Sequence, residues 1–258
     1  MKLFSYWRSS AAWRVRIALS WKGLPHATVP VHLVREGGQQ HSESYHELNP
    51  QERVPALEDE GRVLAQSLAI VEYLEEKHPE PPLMPVDFAG RAVVRQMALL
   101  VACEIHPLQN VRVLQYLRGT LGQGDGPVAE WVRHWIGQGF AALEELARRH
   151  GDGKRFLHGG AVSMADLCLV PMMYNARRYH LDLRPYPALV AIDAHLMTLP
   201  AFSTTRPEAQ PDRFGQRDQC AVEVHDELLT RLARQGHGGG IERGRRPFGS
   251  APSPGPRA

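Results

Sequence analysis

The chain has 258 residues, of which 43% are hydrophobic and 22% charged, with a formal net charge of +2 and three cysteines; such a length buries a sizeable core in one large or two modest domains. So small a charge, with the arginines spread along the chain, argues against a nucleic-acid binder. Cys103, Cys168 and Cys220 lie too far apart for a metal-ligand motif or a disulfide framework, which points to a reducing cytoplasm, and Arg8, Arg14 and Arg16 interrupt any apolar run near the N-terminus, so the sequence predicts neither a signal peptide nor a membrane span.

From Lys2 the chain alternates apolar and polar residues as a half-buried strand does, and from Trp13 it repeats apolar residues at helical spacing through Ile17 and Trp21, with Val15, Ala18 and Leu19 widening the stripe. Ser9 and Ser10 stand between. A serine there caps the helix by accepting an orphan backbone N–H; a thiolate at the same place would gain from a hydroxyl hydrogen bond and from the helix dipole. Both readings stay open on these residues alone. Gly23-Leu24-Pro25 ends the helix, and His26 to Leu33 reads as a strand that Pro30 assigns to a sheet edge. Arg35 to Asn49 predicts a loop with a short helix around Tyr45. A turn at Asn49-Pro50, a strand after Val54-Pro55, a hairpin turn at Gly61-Arg62 and a return strand over Val63-Leu64-Ala65 follow. Gln66-Ser67 opens a helix over Leu68 to Lys77, with Ser67 at its N-cap and Leu68, Ile70, Val71 and Leu74 as its apolar stripe.

Pro79 to Asp87 is proline-rich and irregular, as a linker is. Beyond it the signals are helical: Arg91 to Arg118 with a kink at Pro107, Val128 to Arg149, Met164 to Tyr179 behind a Ser163-x-x-Asp166 capping box, and Ala188 to Leu199. The domain boundaries predicted are 1–78, a linker 79–87, a helical domain 88–212 and a tail 213–258, whose Gly, Pro and Arg content reads as disorder.

This order of elements, βαβ, ββα and then helices only, is that of an α/β thioredoxin-like domain followed by an all-α domain. The motifs are more specific: Arg8-Ser9-Ser10 ahead of Trp13-Arg14-Val15-Arg16-Ile17-Ala18-Leu19, Asn49-Pro50 before Val54-Pro55, Gln66-Ser67-Leu68-Ala69-Ile70, Ala165-Asp166-Leu167, Tyr186-Pro187 and Gln210-Pro211-Asp212. On these the chain, from Met1 to about Asp212, resembles the zeta class of glutathione transferases. The resemblance departs at Ala11, where the class often has cysteine, and at Gly160, where an acidic residue commonly precedes the capping box.

The resemblance implies glutathione as cofactor, a homodimer, and cis-trans isomerisation of a maleyl keto dicarboxylate, maleylacetoacetate to fumarylacetoacetate, in tyrosine and phenylalanine breakdown. Maleylpyruvate isomerisation, conjugation or dehalogenation of small electrophiles, and glutathione binding without catalysis remain as alternatives. It also implies roles. Ser9 holds the thiolate and Ser10 assists. Gln66 and Ser67 bind the γ-glutamyl end, the Val54 backbone pairs with the cysteinyl part, Pro55 is a cis-proline, and Gln40, His106 and Asn110 contact ligand. Cations for the substrate carboxylates are sought first in Arg8, beside the serines, and then in Arg177, which reads equally as a solvated arginine; His106 reads equally as a core histidine, and Val54-Pro55, taken alone, more often as an edge-strand proline.

Overall fold

The computed structural model describes residues 1–213 of the chain; the tail expected to be disordered, with Cys220, lies outside the described residues from position 214 on. Strand β1 (Lys2–Ser5) buries Leu3 and Ser5 on one face and turns Phe4 to the other. There Phe4 meets Tyr45 of the short helix α2 (Glu43–Leu48) edge-on, with ring centroids 6.0 Å apart. Between strand and short helix, helix α1 (Ser10–Trp21) crosses over to β2 (Ala27–Pro30), which pairs parallel with β1, Lys2 opposite Ala27. β3 (Ala56–Asp59) runs antiparallel along the other side of β1, Leu3 opposite Leu57, and pairs in turn with β4 (Arg62–Ala65), giving the order β2-β1-β3-β4. Pro30 thus sits on an edge strand, where its missing N–H leaves no ladder position empty. The hairpin turn is Glu60-Gly61, one residue earlier than read from sequence. Both residues have positive φ, 49° and 75°, as a two-residue hairpin of right-handed twist requires.

Helix α3 (Ser67–Lys77) buries Ile70, Val71 and Leu74 and packs on α1. Its N-cap is Gln66, at φ 71°, so the expectation that Ser67 caps is corrected by one residue: Ser67 is the first helical residue, and no side chain caps this end. Residues 79–87 contain neither helix nor strand. They are nevertheless tied down by a buried pair, Lys22 Nζ to Glu75 Oε2 at 2.7 Å. The same ammonium donates to the carbonyls of His78 and Pro81, and the same carboxylate accepts the N–H groups of Leu83 and Met84. Every polar atom of the pair has a partner, which is the condition for a buried ion pair to be tolerated.

The helix expected from Arg91 to Arg118 is not one kinked rod. α4 (Phe88–Leu99) widens into a π-helical stretch (Leu100–Ile105), tightens into a 3₁₀ turn (His106–Gln109) and stops; α5 (Val111–Gly119) restarts from Asn110, whose side chain accepts the Arg112 N–H at 3.3 Å. Pro107 falls in the first turn of the 3₁₀ segment, where its missing N–H matters least. Packing helps to set this break: α6 (Asp125–His150) comes so close at Gly139 that a Cβ there would collide with Ile105 at the end of the π stretch.

α7 (Met164–Arg178) is buried along most of its length and opens on the expected capping box. The Asp166 carboxylate takes the N–H groups of Leu157 and Ser163 and the Ser163 hydroxyl, so Gly160 does not loosen this start. The last expected helix, Ala188 to Leu199, is α8 (Pro187–Leu196), which ends three residues early, and a short helix the sequence reading did not expect, α9 (Pro200–Ser203), follows it. α1 packs against α3, α7 and α9, which leaves it buried on nearly every side, including at Arg14 and Arg16.

Candidate active site

The β1–α1 junction is set by a charge inside the helix that follows it. Arg16, 3% exposed, donates from Nη1 to Ser5 Oγ (3.0 Å) and the Tyr6 carbonyl (3.3 Å), from Nη2 to the Trp7 carbonyl (3.0 Å), and from Nε to the Thr205 carbonyl (3.1 Å). The Trp7 N–H in turn donates to Asp212 at 2.8 Å. A planar fork of donors holding the Ser5 hydroxyl and two successive carbonyls of one turn, and tying that turn to the Thr205 carbonyl, leaves it little freedom. Ser9 is the N-cap of α1, its Oγ accepting the Ala12 N–H at 3.2 Å. Because the cap uses an oxygen lone pair, the Ser9 hydroxyl proton is left to donate elsewhere. Capping and holding a thiolate are therefore compatible at this residue.

Ser9 opens onto a cleft formed by two adjoining cavities. The inner one, about 220 Å³, is walled by Arg14, Pro55, Gln66 and Ser67 among others, and the outer one, about 280 Å³, by Ser9, Gln40, His41 and Glu52. They share Ala11, Gln51, Arg53, Val54, His106, Asn110 and Arg112, and so form one continuous space. The β1–α1 junction, the loop before β3, the start of α3 and the break between α4 and α5 each supply part of its wall. The Val54–Pro55 bond is cis. Gln66 Nε2 donates to Gln51 Oε1 at 2.8 Å, and Gln40 is buried with its Oε1 unpartnered among the described residues.

The electrostatics favour an anion. Among the described residues three guanidiniums and one carboxylate line the cleft, and that carboxylate, Glu52, is occupied by His41 Nδ1 at 2.6 Å and His46 Nδ1 at 2.8 Å, contacts that hold its pKa below the usual value. Burial, and then repulsion from Arg112, lowers the pKa of Arg53, as expected of two like charges facing one space. His106 is pushed down to about 3, first by burial and then by Arg14 and Arg53, so at neutral pH its ring is uncharged. Arg14, 2% exposed, donates to Ser67 Oγ (3.2 Å) and His106 Nδ1 (3.1 Å). No group of three His, Cys, Asp or Glu among the described residues is arranged to hold a metal ion, and no described helix is long and apolar enough to cross a membrane.

Of the residues singled out from sequence, Ser9, Gln40, Val54, Pro55, Gln66, Ser67, His106 and Asn110 line the cleft. Ser10, Arg8 and Arg177 are not among its lining residues. Ser10 is buried, with its Oγ accepting from Asn175 of α7 at 3.2 Å. The Arg8 guanidinium lies over the Trp7 ring, 5.3 Å from its centroid. Arg177 pairs with the buried Asp193 at 2.6 Å. The residues sequence reading missed are Arg14, Arg53 and Arg112. Arg14 did carry a signal, a charge at the centre of a helix whose apolar residues leave no polar face for it.

The glutathione S-transferase N-terminal domain model matches residues 3–82 and the C-terminal domain model residues 129–194. A probable maleylacetoacetate isomerase from Vibrio cholerae is 50% identical over 210 residues, 81% of this chain and 97% of that protein. The holo structure of a bacterial maleyl pyruvate isomerase described as a zeta-class glutathione S-transferase superposes with a TM-score of 0.79 at 44% identity, covering 82% of this chain and 99% of that one. The maleylacetoacetate isomerase of Anaeromyxobacter dehalogenans, solved with dicarboxyethyl glutathione and citrate in its active site, gives a TM-score of 0.71 at 44% identity, over 82% of this chain and 96% of that one. With both domains matched in order, and identity sustained over four fifths of its length, the chain belongs to the glutathione S-transferase family, in its zeta class.

Proposed function

We propose that the protein is a glutathione-dependent cis-trans isomerase of a maleyl keto dicarboxylate, converting maleylacetoacetate to fumarylacetoacetate. The observation that carries this is the shared cleft: a serine hydroxyl at a helix N-terminus, the Gln66–Ser67 end of α3 and the guanidiniums of Arg53 and Arg112 open onto one space. The substrate's cis double bond is conjugated to a carbonyl and does not rotate. A thiolate adding to it forms a C–S bond and sends the electron pair onto the carbonyl oxygen as an enolate. Rotation about the resulting single bond follows. Collapse of the enolate then re-forms the double bond as the trans isomer, breaks the C–S bond and returns the thiolate, so nothing is consumed.

The residues divide this work. Ser9 donates its hydroxyl proton to the sulfur, and the positive end of α1 favours the anion, which together lower the thiol pKa from its free value of about 8.5. Gln66 and Ser67 hold the γ-glutamyl end at the start of α3, where anions bind, and Val54, ahead of the β3 ladder, pairs its backbone with the cysteinyl part. Arg53 and Arg112 take the substrate carboxylates, since Arg8 and Arg177 line neither cavity. Asn110 offers an uncharged donor toward the enolate, and neutral His106 one toward glutathione. We take residues 1–78 as the glutathione-binding domain and 88–212 as the helical one, with the enzyme acting as a cytoplasmic homodimer.

The structure of a maleyl pyruvate isomerase with the same fold favours one second reading, the shorter maleylpyruvate as substrate; kcat/KM on both keto acids decides between them. The test of the reaction itself is the fate of the sulfur. With maleylacetoacetate in large excess over glutathione, nearly all of it should become the fumaryl isomer while free thiol at the end equals that added. Thiol lost in proportion to product would establish conjugation instead.

A further inference from the structure

Arg14 is a charge without a countercharge among the described residues. Its guanidinium is 2% exposed in the middle of α1, yet among the described residues no carboxylate pairs with it, and its Nε has no partner. Its two contacts are neutral: Ser67 Oγ at 3.2 Å and His106 Nδ1 at 3.1 Å. An isolated buried charge is costly unless an anion completes it. The place for one is open beside it. Arg14 lines the inner cavity together with Ser67, the first residue of α3, and no side chain caps that helix, so its first-turn N–H groups remain to be satisfied.

The direction of the two hydrogen bonds adds a second point. A guanidinium only donates, so both Ser67 Oγ and His106 Nδ1 accept from it. The Ser67 hydroxyl proton is then left to donate away from Arg14. A neutral imidazole with an accepting Nδ1 carries its proton on Nε2, and the depressed pKa of His106 agrees with a neutral ring.

We propose that Arg14 is a positioning residue for glutathione: from the wall of the cleft, beside Ser67 and His106, it supplies the charge that the ligand's γ-glutamyl α-carboxylate neutralises, and it leaves the Ser67 hydroxyl and the His106 Nε2–H as donors to the ligand. This rests on the reading of the cleft as a glutathione site. It gives the ligand's remote carboxylate, rather than the sulfur, the task of completing a charge built into α1, and it joins that anchor to the α4–α5 break through one side chain.

The test is calorimetric binding of glutathione and of its analogue with 4-aminobutyryl in place of γ-glutamyl, which lacks only the α-carboxylate and keeps the amine on the same carbon, to the wild type, Arg14→Gln and Arg14→Lys. The wild type should prefer glutathione to the analogue by about 10- to 100-fold. Arg14→Gln should lose most of that preference while binding the analogue nearly as the wild type does, and Arg14→Lys should recover part of it. Nitrogen NMR of the wild-type ring, which needs no variant to fold, should show His106 neutral at pH 6 with the proton on Nε2. Equal loss of both ligands in Arg14→Gln, or a proton on Nδ1 of His106, overturns the assignment. Failure of the wild type to bind glutathione would overturn the functional reading beneath it, a distinguishable result.

Discussion

Acid should weaken this fold through His106. Burial beside Arg14 and Arg53 pushes the ring's pKa down to about 3, whereas an unfolded histidine titrates near 6.5. The unfolded chain therefore takes the proton first, and stability falls as the pH drops below about 6.5. Working the linkage through, the His106 contribution is about 0.2 kcal/mol at pH 7, about 0.8 at pH 6 and about 2 at pH 5, a loss near 2 kcal/mol across that window. In a chain of this size that corresponds to roughly 4–8 °C in Tm. The charged groups that act on the ring, Arg14 and Arg53, stay charged throughout. The assay is urea unfolding, followed by tryptophan fluorescence, of wild type and His106→Gln at pH 7, 6 and 5. Titrations common to both proteins cancel in the difference, so the variant should gain about 2 kcal/mol on the wild type between pH 7 and 5. Parallel curves would refute the reasoning, since they would mean that the ring titrates alike in the folded and unfolded states.

Ser9→Ala should raise the pKa of the bound glutathione thiol by about one unit, or about 1.4 kcal/mol, and lower kcat at neutral pH several-fold with little change in glutathione Kd; titration of thiolate absorbance in the binary complex reads the first and steady-state kinetics the second. Because the same oxygen caps α1, the variant should also lose about 1 kcal/mol of stability. Arg53→Gln and Arg112→Gln should each raise KM for the maleyl dicarboxylate by about tenfold or more while sparing conjugation of an uncharged electrophile, and equal effects on both reactions would remove these cations from substrate binding. Glu144→Ala addresses the fold alone: its buried carboxylate accepts the Ala188 and Leu189 N–H groups at 3.0 Å each, at the start of α8. Its loss should cost about 2–4 kcal/mol in urea unfolding, with activity per folded molecule unchanged.

Local chemistry was legible in the sequence because it acts over a few residues. Alternation placed β1, Pro30 placed an edge strand, Ser9 marked the start of α1, and Ser163 with Asp166 marked the start of α7; each signal lies within four residues of what it determines. The same locality made the Ser9, Val54-Pro55 and Gln66-Ser67 motifs recognisable together. The tertiary structure decided which charges meet the ligand. Arg8 adjoins Ser9 in sequence but lies on Trp7, whereas Arg14, Arg53 and Arg112 come from three distant segments to line one cleft. No periodicity carries that information, since it depends on how α1, the loop before β3 and the start of α5 pack around a common space. The break at Asn110 is of the same kind: proline alone predicts a kink, and it is the close approach of Gly139 to Ile105 that accompanies a π stretch, a 3₁₀ turn and a fresh helix start in its place. Elements and caps follow from neighbours in the chain; the countercharge a buried arginine needs follows only from neighbours in space.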